Sequence, residues 1–88
     1  MALKIINTQN TFKIEGEINS ITAHNFNTHF TGLLKSIMNI TIDLSQVSHI
    51  DNDGKHTITS ILQYARLFKR KCKLILTQEQ EQQLGLTA

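Results

Sequence analysis

The chain has one cysteine, no tryptophan and no apolar run approaching the ~20 residues a membrane-crossing helix needs. Direct membrane insertion is therefore not expected. Cys72 has no second thiol with which to form an internal disulfide. Flanked by Lys71 and Lys73 it could become reactive, but no companion cysteine and no His-Asn partner attends it, so it reads as a partly buried strand residue. The opening MALKIINTQN lacks the charged region, long apolar stretch and small-residue cleavage site of a secretory signal. A cytoplasmic location is the expectation. Glycine-rich phosphate loops and the dinucleotide-binding fingerprint are missing as well, which removes the usual sequence marks of a nucleotide enzyme.

What remains describes one small domain. With 88 residues, 40% of them hydrophobic and 18% charged, the chain has enough apolar material for a single core. Its net charge of +2 is too small to argue for a polyanionic partner. Arg66, Lys69, Arg70, Lys71 and Lys73 do cluster, five of the nine basic side chains in eight positions. Such a run suits the C-terminus of a helix, whose dipole favours cations. Without a nucleic-acid motif or a set of aromatics, DNA or RNA is not an expected partner.

Hydrophobic spacing lays out the elements. Leu3 and Ile5, then Phe12 and Ile14, alternate with polar residues on either side of Asn7-Thr8-Gln9-Asn10, a hairpin pattern. After Gly16, Asn19 or Ser20 can cap a helix over about Ile21 to Met38, whose apolar face is Phe26, Phe30, Leu33, Leu34 and Ile37. Ile40, Ile42 and Leu44 form a third strand, followed by the short apolar pair Val47 and Ile50. Ile58, Ile61, Leu62, Ala65 and Phe68 predict a second helix over about Gly54 to Arg70. Leu74-Ile75-Leu76 suits a strand covered on both faces, and Glu79 to Leu84 a last short helix ending at Gly85. The order β-β-α-β-α-β-α predicts an α/β fold with a small, mixed, mostly parallel four-stranded sheet and parallel crossovers.

The stretch Ile50-Asp51-Asn52-Asp53-Gly54-Lys55-His56-Thr57 concentrates the chemistry. As a calcium loop it fails at both ends, where His49 and Ser60 would stand at positions that need carboxylates. The four histidines share no metal-binding spacing, since His24 and His29 are five apart on a helix and His49 and His56 flank the turn. No metal, no cofactor and no catalytic residue is expected. The simplest reading makes Asp53 the cap of the second helix and Gly54 the residue of a tight strand-to-helix passage. It leaves open why an acidic turn should lie at the carboxyl end of a strand, where open α/β sheets present their binding surface.

The segments FKIEGEINSITAHNF, NITIDLSQVSHIDNDG and CKLILT, in that order, resemble a STAS domain, the module of sulphate transporters and anti-sigma factor antagonists. The resemblance runs from about Leu3 to Leu86 and treats residues 1–88 as a single domain. It implies a non-catalytic, protein-binding regulatory domain. In similar anti-sigma factor antagonists, a hydroxyl residue immediately before the glycine is phosphorylated by a kinase that is itself the anti-sigma factor. Here that position is Asp53, preceded by Asn52, so serine-type phosphorylation is not available there; Thr57 or Ser48 are the nearby hydroxyls. The resemblance places the partner-binding surface at Asp51, Asn52, Asp53, Gly54, Lys55 and Thr57. An anti-sigma factor kinase is the implied partner; a transporter ATPase, for which the domain would be a regulatory subunit, or a stress-signalling scaffold are the alternatives. Family members also continue into a further strand and helix that this chain lacks, so an uncovered surface met by a partner or a second copy is expected.

Overall fold

The computed structural model describes residues 3–85. Five strands and three helices follow in the order β1 (Lys4–Thr8), β2 (Thr11–Ile18), α1 (Ala23–Leu34), β3 (Asn39–Asp43), β4 (Val47–Ile50), α2 (Asn52–Leu67), β5 (Lys71–Ile75) and α3 (Gln78–Leu84). The class is the expected α/β one, with one strand more than the sequence pattern showed. Val47–Ile50 is that strand.

The hairpin closes through Gln9 and Asn10, both with positive φ (50° and 66°), the backbone a two-residue loop needs to match the twist of its strands. Its register pairs Thr8 with Thr11 and Ile5 with Ile14. From β2 onward the sheet is parallel: β2 pairs β3, and β3 pairs β5. Beyond Lys13 and Asp43, β4 takes over as the neighbour of β2, opposite Gly16–Ile18. The exchange happens at a register shift between Gly16 and Glu17, and Gly16 supplies the φ of 112° that the irregular backbone requires there.

Alternation along the strands buries one face. Phe12, Ile14, Ile18, Ile40, Ile42 and Leu44 pack with Phe26, Phe30 and Leu34 of α1 and Ile58, Ile61 and Ala65 of α2. Phe30 is the hub, edge-on to Phe12 at 5.4 Å and tilted against Phe26 at 4.9 Å. Such aromatic pairs add roughly 0.5–1.5 kcal/mol beyond the area they bury. On the opposite face of the sheet Lys4, Ile6, Lys13, Lys73 and Ile75 are exposed.

Three local expectations need correction. The first helix stops at Leu34 rather than near Met38, because the Arg70 side chain takes the free carbonyls of Leu34 (2.8 Å) and Lys35 (3.1 Å). Ahead of that helix Asn19 accepts from the amides of Ile21 and Thr22, forming a turn before α1 rather than a cap on it. Finally, β5 is the sheet's edge and is covered on one face only: Cys72 and Leu74 are half-buried while Ile75 is exposed. The terminal helix is as expected, held by a reciprocal Thr77–Gln80 capping box and closed by Gly85 at φ 68°.

Candidate functional site

The acidic turn lies where β4 hands over to α2, beside the end of β2. Asp51, not Asp53, is the helix cap. Its backbone is extended, its N–H donates to the Ile18 carbonyl (3.2 Å), and its side-chain Oδ1 accepts from the Gly54 amide at 2.9 Å. The strand-end hydrogen bond selects the cap: once Ile18 holds Asp51 in extended conformation, the helix begins at Asn52 and Gly54 is the third residue of its first turn.

Gly54 is buried, and its role is close approach. A Cβ at this position would collide with the Ile18 carbonyl oxygen and lie 2.9 Å from Ile50 Cγ2. The first turn of α2 thus rests directly on the end of β2. Asn52 and Asp53 then project from the outer side of that turn; both are exposed, as is His56, while Lys55 and Thr57 are half-buried. Asp53, in the first turn, is placed to complement the positive end of the helix.

Neighbouring loops brace this arrangement. The buried Thr22 donates to the Glu17 carbonyl at 2.8 Å and receives the Asn19 amide at 3.0 Å, which pins the segment after β2. From the other side Gln83 Nε2 donates to the Ile50 carbonyl at 2.6 Å, and the buried Gln80 donates to the Leu44 carbonyl at 2.7 Å. Helix α3 is thereby tied to both ends of β4. A cavity of about 210 Å³ lies between them, lined by Ser45, Ser48, His49, Thr77, Gln80 and Gln83. Its amide groups are already engaged with backbone, so its walls serve to hold α3 in place.

At the end of β3, Asp43 Oδ1 accepts from both the amide (2.9 Å) and the hydroxyl (2.6 Å) of Ser45. The Ser45 hydroxyl bond holds the Asp43 pKa below the usual 3.8 against the opposing effect of burial, with lesser help from the Ser45 amide and the charge of Lys13. This turn follows β3 as the Asp51 turn follows β4. Among the described residues no cluster of three or more His, Cys, Asp or Glu side chains could hold a metal ion. Cys72 is not activated by its lysine neighbours; burial pushes its thiol up to about 11.

The family model of the STAS domain matches residues 2–84 of the chain. The chain belongs to the STAS domain family. Among solved structures this STAS domain is similar to an anti-sigma factor antagonist from Mycobacterium paratuberculosis, with 16% identity, a TM-score of 0.75, and coverage of 97% of this chain and 78% of that one. It is similar as well to the anti-sigma factor antagonist SpoIIAA in its unphosphorylated form (14% identity, TM-score 0.65, 83% of this chain and 71% of that one). A third match is the Bacillus cell fate determinant SpoIIAA in its phosphorylated form (11% identity, TM-score 0.64, 98% of this chain and 100% of that one). At these identities the likeness is one of fold. Among curated proteins none matches the chain.

Of the six residues that the sequence singled out, the structure puts Asp51 to Lys55 at the cap and first turn of α2 and Thr57 in its second turn, and divides their work. Asp51 and Gly54 are spent on building the first turn, and Asn52, Asp53, Lys55 and Thr57 remain on or near the surface. The contributions of Ile18, Gln80 and Gln83 were not read from the sequence. Only a repeated Gln-x-x-Gln spacing at 80 and 83, one helical turn apart, hinted that α3 presents amides to one side.

Proposed function

We propose that this STAS domain is a non-catalytic regulatory module that binds a partner protein through the first turn of α2, with Asp53 standing at the position where similar anti-sigma factor antagonists carry a phosphorylated hydroxyl. The observation that supports this reading most is the combination of a rigid base and an exposed tip. Asp51 and Gly54 lock the turn to Ile18, while Asn52, Asp53 and His56 face solvent. A turn held in this way meets a partner without first losing conformational freedom, which favours tight docking.

Asp53 makes the surface constitutively anionic. An aspartate carries about one negative charge where a phosphoserine carries roughly two, and it cannot form the serine-type phosphate ester. The domain therefore acts as a fixed adaptor: its binding is not switched at this position. Lys55 and His56 set the remaining charge that the partner meets. The partner that the family implies is an anti-sigma factor kinase.

Affinity capture from the source cell tests the reading, using immobilised wild type and Asp53→Ser with and without ATP, followed by intact mass measurement. Wild type is expected to retain the same partner in both conditions and to gain no phosphate. Phosphate on wild-type Thr57 or Ser48 would move the switch to another hydroxyl, and failure to retain any partner would overturn the reading.

A further inference from the structure

The acidic side chains of this chain gather at one end of its parallel strands, with Lys4, Lys13 and Lys55 beside them. Neither Ile18–Ile42 nor Gly54–Gln78 contains a single Asp or Glu. All seven acidic residues fall in the carboxyl halves of β2 and β3, at the start of α2, or in α3, at the end of the molecule that bears the Asp53 turn. The opposite end is built from the C-terminus of α1 and the turn between α2 and β5. There Lys35, Arg66, Lys69 and Lys71 are exposed with no carboxylate among them.

Large apolar side chains share that end. Leu67 is 79% exposed, Met38 58% and Phe68 52%. Singly such residues are unremarkable on a surface. Here they share one end with four exposed cations and no carboxylate. Arg70 makes the end one surface by donating to the Leu34 and Lys35 carbonyls and lying against the Met38 sulfur, while the Lys71 amide donates to the Met38 carbonyl at 2.7 Å.

We propose that this basic and apolar end docks peripherally on an anionic lipid bilayer. The charge complementarity is direct, and the geometry suits an interface: long lysine and arginine stems reach lipid phosphates while Leu67, Met38 and Phe68 enter the headgroup boundary. A nucleic acid would have no use for Leu67 or Met38, which offer no ring on which a base could stack. Among the described residues, a second copy offering its acidic end brings Ile21 and, opposite Asp43, the less exposed Ile75, against the three large apolar side chains here. No described helix is long and apolar enough to cross a membrane, so the attachment is to the surface. The Asp53 turn, at the far end of the 16-residue α2, stays roughly 24 Å from the contact along the helix axis and remains open to a partner.

Co-sedimentation of the whole chain with phosphatidylglycerol–phosphatidylcholine vesicles, against phosphatidylcholine alone, tests the proposal. Binding is expected to the anionic vesicles only and to weaken with added salt. Leu67→Asp should lower it about tenfold, and the double variant Lys69→Glu, Lys71→Glu about tenfold or more. Asp53→Ser should leave it unchanged. Both altered sites are exposed, and the charge variant carries the test if Leu67→Asp does not fold. No preference for anionic vesicles, or binding indifferent to Leu67→Asp in a folded variant, would overturn the proposal. Duplex DNA binding that depends on Lys69 and Lys71 but not Leu67 would assign the surface to a nucleic acid instead. Self-association lost in the charge variant, without vesicle binding, would assign it to a second copy.

Discussion

The α-carbon of Gly54 sits against the carbonyl oxygen of Ile18 more closely than any side chain permits. Two elements far apart in sequence, the end of β2 and the first turn of α2, are in contact there, and the presentation of Asn52 and Asp53 depends on that contact.

Gly54→Ala therefore sets two effects against each other. Alanine is favoured over glycine in a helix by about 1 kcal/mol. The added methyl, however, meets a backbone oxygen that cannot rotate away and the buried Ile50, and overpacking costs ~1–3 kcal/mol. Urea unfolding should show a lower midpoint with an unchanged slope; a higher midpoint would mean that the approach to Ile18 is looser than described.

The two aspartates of the turn should differ. Removing the cap with Asp51→Ala should cost about 0.5–2 kcal/mol, since the Gly54 amide loses its acceptor. Asp53→Ala forfeits only an exposed charge at a helix N-terminus, about 0.3–1 kcal/mol at low salt and less as salt is added. Denaturation of the two variants at two ionic strengths gives the order, and a larger loss for Asp53→Ala would reverse the assignment of the cap.

Acid stability should carry the mark of Asp43. Its folded pKa lies below the ordinary 3.8 because Ser45 hydrogen-bonds the charged form. A depressed carboxyl contributes stability that is present above 3.8 and is lost as pH falls below it through the folded value. In Ser45→Ala the carboxyl resonance of Asp43 should titrate at higher pH, and the fall in stability between wild type and variant should converge in acid. An unmoved titration would show that Ser45 does not hold the charge.

The thiol gives the opposite slope. Burial keeps Cys72 protonated to about 11 in the folded chain against an ordinary 9.0, so its contribution to stability is lost as pH rises through that interval. Cys72→Ala should flatten the alkaline decline relative to wild type. At mildly alkaline pH a disulfide reagent should label native Cys72 far more slowly than the urea-unfolded chain; equal rates would contradict its burial.

The order of elements was legible because both periodicities are clean: Phe26, Phe30 and Leu34 repeat at four, and Phe12 and Ile14 at two. Strand β4 was not, because its four residues bury only the first and last, Val47 and Ile50, and so show no alternation. Its identity comes from pairing with Gly16–Ile18, a contact across the bulge in β2. The run Leu74-Ile75-Leu76 looked doubly covered because Ile75 is apolar, yet it faces outward from an edge strand.

At the site, composition located the turn but not its division of labour. Asp51 and Asp53 are equally able to cap by residue type. Only the hydrogen bond from the Asp51 amide to Ile18 decides between them, and it is a tertiary contact. The same holds for the end of α1, where Ile37 and Met38 continue the apolar pattern past the point at which Arg70 captures the last carbonyls.

The most direct test of the central claim is the affinity of the captured partner for Asp53→Lys, measured by titration calorimetry beside wild type and the Lys69→Glu, Lys71→Glu variant. Charge reversal at the exposed tip should weaken binding about tenfold or more, while the variant at the opposite end binds as wild type does. Undiminished affinity in Asp53→Lys would show that the partner does not dock on this turn.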